Sequence, residues 1–159
     1  MKQFSQNSKR NAVIQRNAVI QMTLSVIIVN LNTKKLTLDC IKSVLAEGPE
    51  TKKEIIVVDN GSEDGSIEAL RKLASLNFKT IFNSKNEGYA KANNQGIKKS
   101  SGEYILLLNS DTLVKKGSLG KLVDFAQVTQ DAGVVGSKLL NIDGTLQPSC
   151  FHFPTIGNA

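Results

Sequence analysis

The stretch "EYILLLNSDT", residues 103–112, joins an apolar run of strand type to an abrupt polar end. Residues 104 to 108 are apolar or aromatic, whereas Asn109, Ser110 and Asp111 follow at once and gain nothing from burial. A short apolar run bounded by turn residues is typical of a buried strand. We therefore predict that a strand ends here and presents Asp111 to a ligand.

The same pattern recurs from Leu24 onward, where short β-branched runs alternate with longer segments of helical spacing. This alternation predicts an α/β fold with βαβ units and a mostly parallel sheet flanked by helices. The predicted strands are Leu24–Asn30, Glu54–Asp59, Phe78–Asn83, Glu103–Leu108 and Gly133–Lys138. The predicted helices are Thr33–Ala46, Ser66–Ser75, Tyr89–Lys99 and Ser118–Gln130.

Polar segments follow four of these strands. In an open parallel sheet, ligands bind beyond the carboxyl ends of the strands. The segments are "NLNT" (30–33), "DNGSEDGS" (59–66), "NSKNEGYAKANNQG" (83–96) and "NSDT" (109–112). One such segment is compatible with an ordinary turn, but four on one edge favour a binding site.

Charge and composition argue against a nucleic-acid-binding protein. The chain has 159 residues, 40% of them hydrophobic, which fits one globular domain. Its net charge of +6 arises entirely in residues 1–38, which hold six basic residues and no acid. Aromatic residues make up only 5% of the chain, so few side chains could stack on bases. We therefore expect no nucleic-acid partner.

Two cysteines, Cys40 and Cys150, are too few for a disulfide framework, and Cys40 is predicted to be a buried thiol. No apolar run reaches the length of a membrane span. The sequence therefore predicts a cytoplasmic location. Residues 1–22 contain the tandem hexapeptide "RNAVIQRNAVIQ", and two copies are too few to build a repeat core. We expect this segment to be a disordered or loosely helical tail.

No dinucleotide-binding glycine motif or P-loop is present, so a phosphate ligand would have to be held in another way. A strand-end carboxylate can bind Mg²⁺ or Mn²⁺ together with substrate phosphate oxygens, which makes Asp111 the candidate metal ligand. The alternative is that Asp111 caps a turn. Asp59 could accept a hydrogen bond from an imide-like N–H of a flat ligand, or form a turn with Asp64 as a helix N-cap.

Several motifs occur in the order found in one known family: "SVIIVNLN", "VVDNGSEDGS", "NEGYAKANNQGI", "GEYILLLNSDT" and "VVGSKLLNIDGTLQPSCFHFPT". From Leu24 to its end, the chain resembles family 2 glycosyltransferases of the GT-A fold, and most of all their rhamnosyltransferase-like branch. The resemblance implies a Rossmann-like nucleotide-sugar-binding domain over residues 23–159. It also implies a nucleotide site, formed by Val29, Asn30, Asn32, Asp59, Gly88, Asn94, Asn109 and Ser110, with Asp111 as metal ligand.

Within this resemblance, Asp59 would contact the base, Gly88 and Asn94 would face the diphosphate, and residues 109–111 would occupy the D-x-D position of the family. Asn109 replaces the first acid of that motif, so Asp111 is the only charged ligand left there. The acceptor-binding half of the family, with its general base, would lie beyond Ala159. We therefore expect a truncated domain without a catalytic base, in which Asp143 is a turn residue and His152 has no catalytic role.

The resemblance implies a glycosyltransferase that moves a sugar from a nucleoside-diphosphate sugar to a glycan or lipid-linked acceptor in surface polysaccharide synthesis. Peripheral contact with the inner face of the membrane is compatible with such an acceptor. One alternative is a non-catalytic nucleotide-binding fragment. Another is a nucleotidyltransferase, although the glycine- and lysine-containing activation loop of that class is absent.

Overall fold

Strands and helices alternate along the chain as the sequence predicts. A computed structural model describes residues 23–48, 52–73, 78–129 and 131–149. The strands are β1 (Thr23–Asn30), β2 (Lys52–Asp59), β3 (Lys79–Phe82) and β4 (Tyr104–Asn109). The helices are α1 (Lys34–Leu45), α2 (Ser66–Leu73), α3 (Tyr89–Lys99) and α4 (Ser118–Val128). The predicted tail, Cys150 and His152 lie outside the described residues.

The four strands form one parallel sheet in the order β3-β2-β1-β4. The register pairs Asn30 at the end of β1 with Asp59 at the end of β2, and Val29 with Asn109 of β4. The carboxyl ends of three strands therefore lie side by side. This arrangement confirms the predicted α/β fold and brings the polar strand ends to one edge.

Continuous runs of β-branched residues in β1 and β2 let the sheet bury both faces. On one face, β1 and β2 pack with α1, α2 and α4 in a core that includes Val26, Ile28, Val57, Ile41 and Leu70. Helix α3 packs on the other face, where a Cβ at Gly96 would lie 2.5 Å from Ile27 Cγ2. A glycine at this position lets the helix approach the sheet closely.

The described residues cover only one face of strand β4. Tyr104, Leu106 and Leu108 are half-buried against the core, whereas Ile105 and Leu107 remain 44% and 47% exposed. Across the described part of the chain, no helix has the length and apolarity needed to cross a membrane.

The predicted fifth strand, Gly133–Lys138, is wrong. These residues form no ladder, and Val134 is 92% exposed. Two glycines flank the short apolar pair Val134–Val135, so the segment gains little burial to offset the loss of backbone entropy. The segment that follows forms an antiparallel bridge between Leu140 and Leu146.

At the amino end of the sheet, the Glu54 carboxylate joins three segments. It accepts hydrogen bonds from Ser25 Oγ at 2.6 Å and from the Ser101 backbone N at 2.6 Å, and it pairs with Lys79 Nζ at 2.7 Å. Partial burial raises the pKa of Glu54, but the bonds from Lys79, Ser25 and Ser101 outweigh burial and lower the pKa from 4.5 to about 2. Glu54 therefore stabilises the folded state as a carboxylate.

Glu54→Gln is expected to lower the free energy of unfolding at pH 7 by about 2 kcal/mol, because hydrogen bonds to a charged acceptor are lost. Since folding depresses this pKa, the contribution is complete above pH 4.5 and disappears as the pH falls towards 2. Urea unfolding of both proteins at pH 7 and pH 3 measures this change. The exposed Glu103, changed to Gln, is the control. A difference that stays constant between the two pH values would contradict the assignment.

Candidate functional site

An open pocket of about 330 Å³ lies at the carboxyl ends of β1 and β4. Its lining combines apolar side chains from β1, the following loop and α1 with amide, hydroxyl and carboxylate groups. The lining residues are Val29, Leu31, Thr33, Leu36, Asn60, Asn86, Tyr89, Asn109, Ser110 and Asp111. Four of them, Val29, Asn109, Ser110 and Asp111, are predicted site residues.

Asn30 lies beneath the pocket and is fully buried. Its Oδ1 accepts hydrogen bonds from Thr33 Oγ1 at 2.8 Å and Thr37 Oγ1 at 2.6 Å. Its Nδ2 donates to Asp59 Oδ2 at 2.6 Å and to Ser62 Oγ at 3.0 Å. Because these bonds use both lone pairs and both protons of the amide, Asn30 shapes the pocket floor and has no free polar group for a ligand.

Asp59 is also fully buried, and it does not line the pocket. Besides the bond from Asn30, its Oδ1 accepts from the backbone N of Ser62 at 2.9 Å and of Gly61 at 3.2 Å. The turn considered as the alternative for Asp59 is thus formed. A contact between this carboxylate and a nucleobase stays a prediction, because Asp59 is buried here and lies outside the pocket lining.

Asn32, which has a positive φ of 53°, joins the loops after β1 and β2. Its backbone N donates to Ser62 Oγ at 2.9 Å, and its Oδ1 accepts from the Glu63 backbone N at 2.7 Å. Asp64 accepts from the backbone N of Lys34 at 2.8 Å and of Ser66 at 3.0 Å, the first residues of α1 and α2. Asp64 thus bonds the first backbone N–H group of both helices from one residue before the N-cap position of α2, and the two loops form one connected unit.

Asn60 fixes the loop after β3 beside the pocket. Its Nδ2 donates to Asn86 Oδ1 at 2.8 Å, and its Oδ1 accepts from Asn83 Nδ2 at 2.9 Å and the Glu87 backbone N at 3.0 Å. Gly61, with φ +87°, lets the Lys85 backbone approach, since a Cβ there would lie 2.8 Å from it. Asn60 and Asn86 were not predicted from the sequence, because they resemble ordinary loop amides.

Asp111 is exposed, and no described residue forms a hydrogen bond with its carboxylate. The alternative role as a turn cap is therefore not supported. Below it, Cys40 Sγ lies 3.6 Å from the Asn109 carbonyl oxygen. Burial, helped by the Asp111 charge, raises the pKa of the Cys40 thiol to about 12, so this thiol stays protonated and is no nucleophile.

The side chains around Asp111 can hold a metal ion only if a bound ligand supplies further oxygen atoms. The described residues contain no group of three or more His, Cys, Asp or Glu side chains that could hold a metal. Mg²⁺ and Mn²⁺ can nevertheless bind through a single carboxylate when phosphate oxygens and water complete the coordination. Asp111 fits that mode, because it is the only acid among the described residues lining the pocket.

Tyr89 and Thr33, which both line the pocket, each contact a residue at the end of β4. Tyr89 Oη donates to Asn109 Oδ1 at 2.9 Å, and Thr33 Oγ1 lies 3.1 Å from Ser110 Oγ. Tyr89, Thr33 and Leu36 were not predicted from the sequence, although an aromatic residue directly after Gly88 at a predicted helix start was a usable signal. Gly88 is the exposed N-cap of α3. Asn94 is exposed on the same helix and does not line the pocket.

Asp143 forms the predicted turn. Its Oδ1 accepts from the Thr145 backbone N at 2.9 Å and from Thr145 Oγ1 at 2.6 Å. These bonds lower the pKa of Asp143, which makes its carboxylate a weaker base. Asp143 is also absent from the pocket lining, so the structure gives no support for a catalytic role.

Comparisons with known proteins agree with this fold. The model of the family described as glycosyl transferase family 2 matches residues 25–149. Glycosyltransferase GlyG of Streptococcus pneumoniae is 34% identical over 122 residues, which are 76% of this chain and 40% of GlyG. A poly-beta-1,6-N-acetyl-D-glucosamine synthase of Staphylococcus aureus is 42% identical over 77 residues, 48% of this chain and 18% of the synthase.

Among solved structures, the mannosyltransferase PcManGT from Pyrobaculum calidifontis, in complex with GDP-Man and Mn²⁺, superposes with a TM-score of 0.66 at 23% identity. The match covers 77% of this chain and 37% of that protein. The chain thus spans less than half the length of these relatives. The parallel sheet with flanking helices is the Rossmann-like GT-A fold, and the chain belongs to glycosyl transferase family 2.

Proposed function

We propose that this chain binds a nucleoside-diphosphate sugar as the donor-binding part of a glycosyltransferase, with a glycan or lipid-linked molecule as acceptor. The observation that carries the proposal is the exposed Asp111 carboxylate, which has no hydrogen-bond partner among the described residues and lies in a pocket at the carboxyl ends of two parallel strands. Ligands of open parallel sheets bind at this edge. Membership of the family supports the same activity.

The diphosphate would lie beside Asp111, where its oxygens and this carboxylate share a Mg²⁺ or Mn²⁺ ion. Such an ion neutralises charge on a leaving diphosphate when it is bound. Ser110 and Asn109 add polar groups at the same end of the pocket. The metal is therefore a proposed cofactor whose binding depends on the nucleotide.

The nucleoside would occupy the more apolar part of the pocket, near Val29, Leu31 and Leu36. Asn30, Asn32 and Asp59 hold the loops that form its floor. Their direct contact with the nucleotide, like that of Gly88 and Asn94, is a proposal that rests on the family resemblance.

We further propose that the protein acts in surface polysaccharide synthesis and belongs to the rhamnosyltransferase-like branch of the family. The family motifs support the branch, and the poly-N-acetylglucosamine synthase similarity supports the process. Cys40 is a buried free thiol, which fits a reducing compartment. We accordingly propose action in the cytoplasm, at the inner membrane face where a lipid-linked acceptor would be reached. The domain we assign to these roles comprises residues 23–159.

The alternative function is nucleotide binding without sugar transfer. One observation favours it: the described pocket residues include no acid besides Asp111, which is assigned to the metal. General-base catalysis is commonly worth about 10²- to 10⁴-fold, so a pocket without a base would bind donor but transfer sugar slowly.

Calorimetry with UDP, GDP, ADP, CDP and dTDP, in Mn²⁺ and in EDTA, tests the proposal. We expect at least one nucleoside diphosphate to bind, and to bind more tightly with Mn²⁺. No binding to any of them would refute donor binding. Release of nucleoside diphosphate from the matching sugar donor then separates the two functions, since roughly one turnover per second or faster is typical of an enzyme with its base.

A further inference from the structure

Tyr89 occupies an unusual place for an aromatic side chain. It is the first residue of α3 and remains 57% exposed, so apolar burial does not account for it. Its hydroxyl donates to Asn109 Oδ1 at 2.9 Å, and both residues line the pocket. Tyr89 thereby connects the start of α3 to the end of β4.

This hydrogen bond decides what Asn109 can offer a ligand. The side-chain carbonyl oxygen is occupied by Tyr89, whereas no described residue accepts a hydrogen bond from Asn109 Nδ2. The side chain therefore has two free N–H donors among the described residues, and one of the two lone pairs on its oxygen is used by Tyr89. Two residues further on, the Asp111 carboxylate has its acceptor oxygens free among the described residues.

We propose that Tyr89 is a positioning residue that orients Asn109, so that the Asn109 amide donates a hydrogen bond to an oxygen of the bound nucleoside diphosphate. The inference rests on the proposed donor-binding function. Metal coordination then belongs to Asp111 alone. Asparagine at position 109 thereby acts as a donor to an acceptor-rich ligand, while the bond from Tyr89 takes up one lone pair of its carbonyl oxygen.

Tyr89→Phe tests this role in the full 159-residue chain, because it removes only the hydroxyl. We expect the dissociation constant for the best-binding nucleoside diphosphate to rise about three- to tenfold, the usual effect of losing one neutral hydrogen bond. The dissociation constant should rise by the same factor in Mn²⁺ and in EDTA. Tyr104→Phe is the matched control, because the other tyrosine of the chain lies at the opposite end of β4.

A double-mutant cycle shows whether Tyr89 acts through Asn109. On the Asn109→Ala background, Tyr89→Phe should have no further effect on the dissociation constant. In the nucleotide-free protein, Tyr89→Phe should also shift the NMR signals of the Asn109 side-chain amide. An unchanged thermal midpoint would separate this positioning role from a structural one.

Each contrary result has a distinct meaning. Tighter binding of Tyr89→Phe in Mn²⁺ alone would identify the freed Asn109 oxygen as a metal ligand and overturn the inference. Equal binding by wild type and Tyr89→Phe, additive effects in the cycle, or unshifted amide signals would also overturn it. If the wild type binds none of the nucleoside diphosphates, the proposed function fails, and this inference fails with it.

Discussion

Asp111→Asn is expected to abolish the Mn²⁺-dependent part of nucleoside-diphosphate binding, with a loss of roughly 100-fold or to below detection. The substitution keeps the size of the side chain but removes the only carboxylate among the described pocket residues. Without that charge, a divalent ion has no anionic protein ligand in the pocket. Calorimetry with the best-binding nucleoside diphosphate, in Mn²⁺ and in EDTA, measures the change.

The sign of the effect in EDTA makes this prediction specific. Asp111 repels the phosphates when no metal is present, so the mutant should then bind as well as wild type or slightly better. Asp124→Asn, which changes an exposed acid on α4, is the charge-matched control. Retention of Mn²⁺-dependent binding by Asp111→Asn would show that the metal binds elsewhere.

Asp59→Ala is expected to lower the free energy of unfolding by about 3 kcal/mol, and the loss of stability should exceed any selective loss of nucleoside binding. The mutation leaves the buried Asn30 amide and the backbone N–H groups of Gly61 and Ser62 without their acceptor. Unsatisfied buried donors are more costly than the bonds themselves are stabilising.

Urea unfolding of Asp59→Ala measures this loss, with Glu63→Ala as the control from the same loop, because Glu63 is exposed. A midpoint close to wild type, combined with weak nucleoside binding, would support the base contact that the family resemblance implies. The two roles of Asp59 can thus be separated by comparing stability with affinity.

Much of the fold follows from the sequence because its strongest signals are local. The β1 and β2 runs are apolar and β-branched, and the structure buries residues such as Ile27, Ile28, Ile56 and Val57 completely. Gly133–Lys138 offers only the apolar pair Val134 and Val135 between two glycines, and whether so short a run pairs depends on partners that local pattern cannot specify. The prediction there was wrong for that reason.

The site was predictable to a lesser extent. The positions of Val29, Asn109, Ser110 and Asp111 follow from the rule that ligands bind at the carboxyl ends of parallel strands. Some polar groups line the pocket and others hold its loops in place. Hydrogen bonds between loops that are distant in sequence decide which role each group has. Asn30 and Asp59 are indistinguishable from ligand contacts in the sequence, although the structure commits them to each other.

Residues in the connected loops after β1 and β2 should tolerate fewer substitutions than the exposed residues that line the pocket. Substitutions at Asn30 or Asp59 disturb several partners at once, so they would need compensating changes to survive selection. Leu36 and Tyr89 are exposed and carry little of the fold. Descendants of this chain could therefore acquire a new donor preference through substitutions at exposed pocket residues such as Leu36, while Asn30 and Asp59 remain under purifying selection.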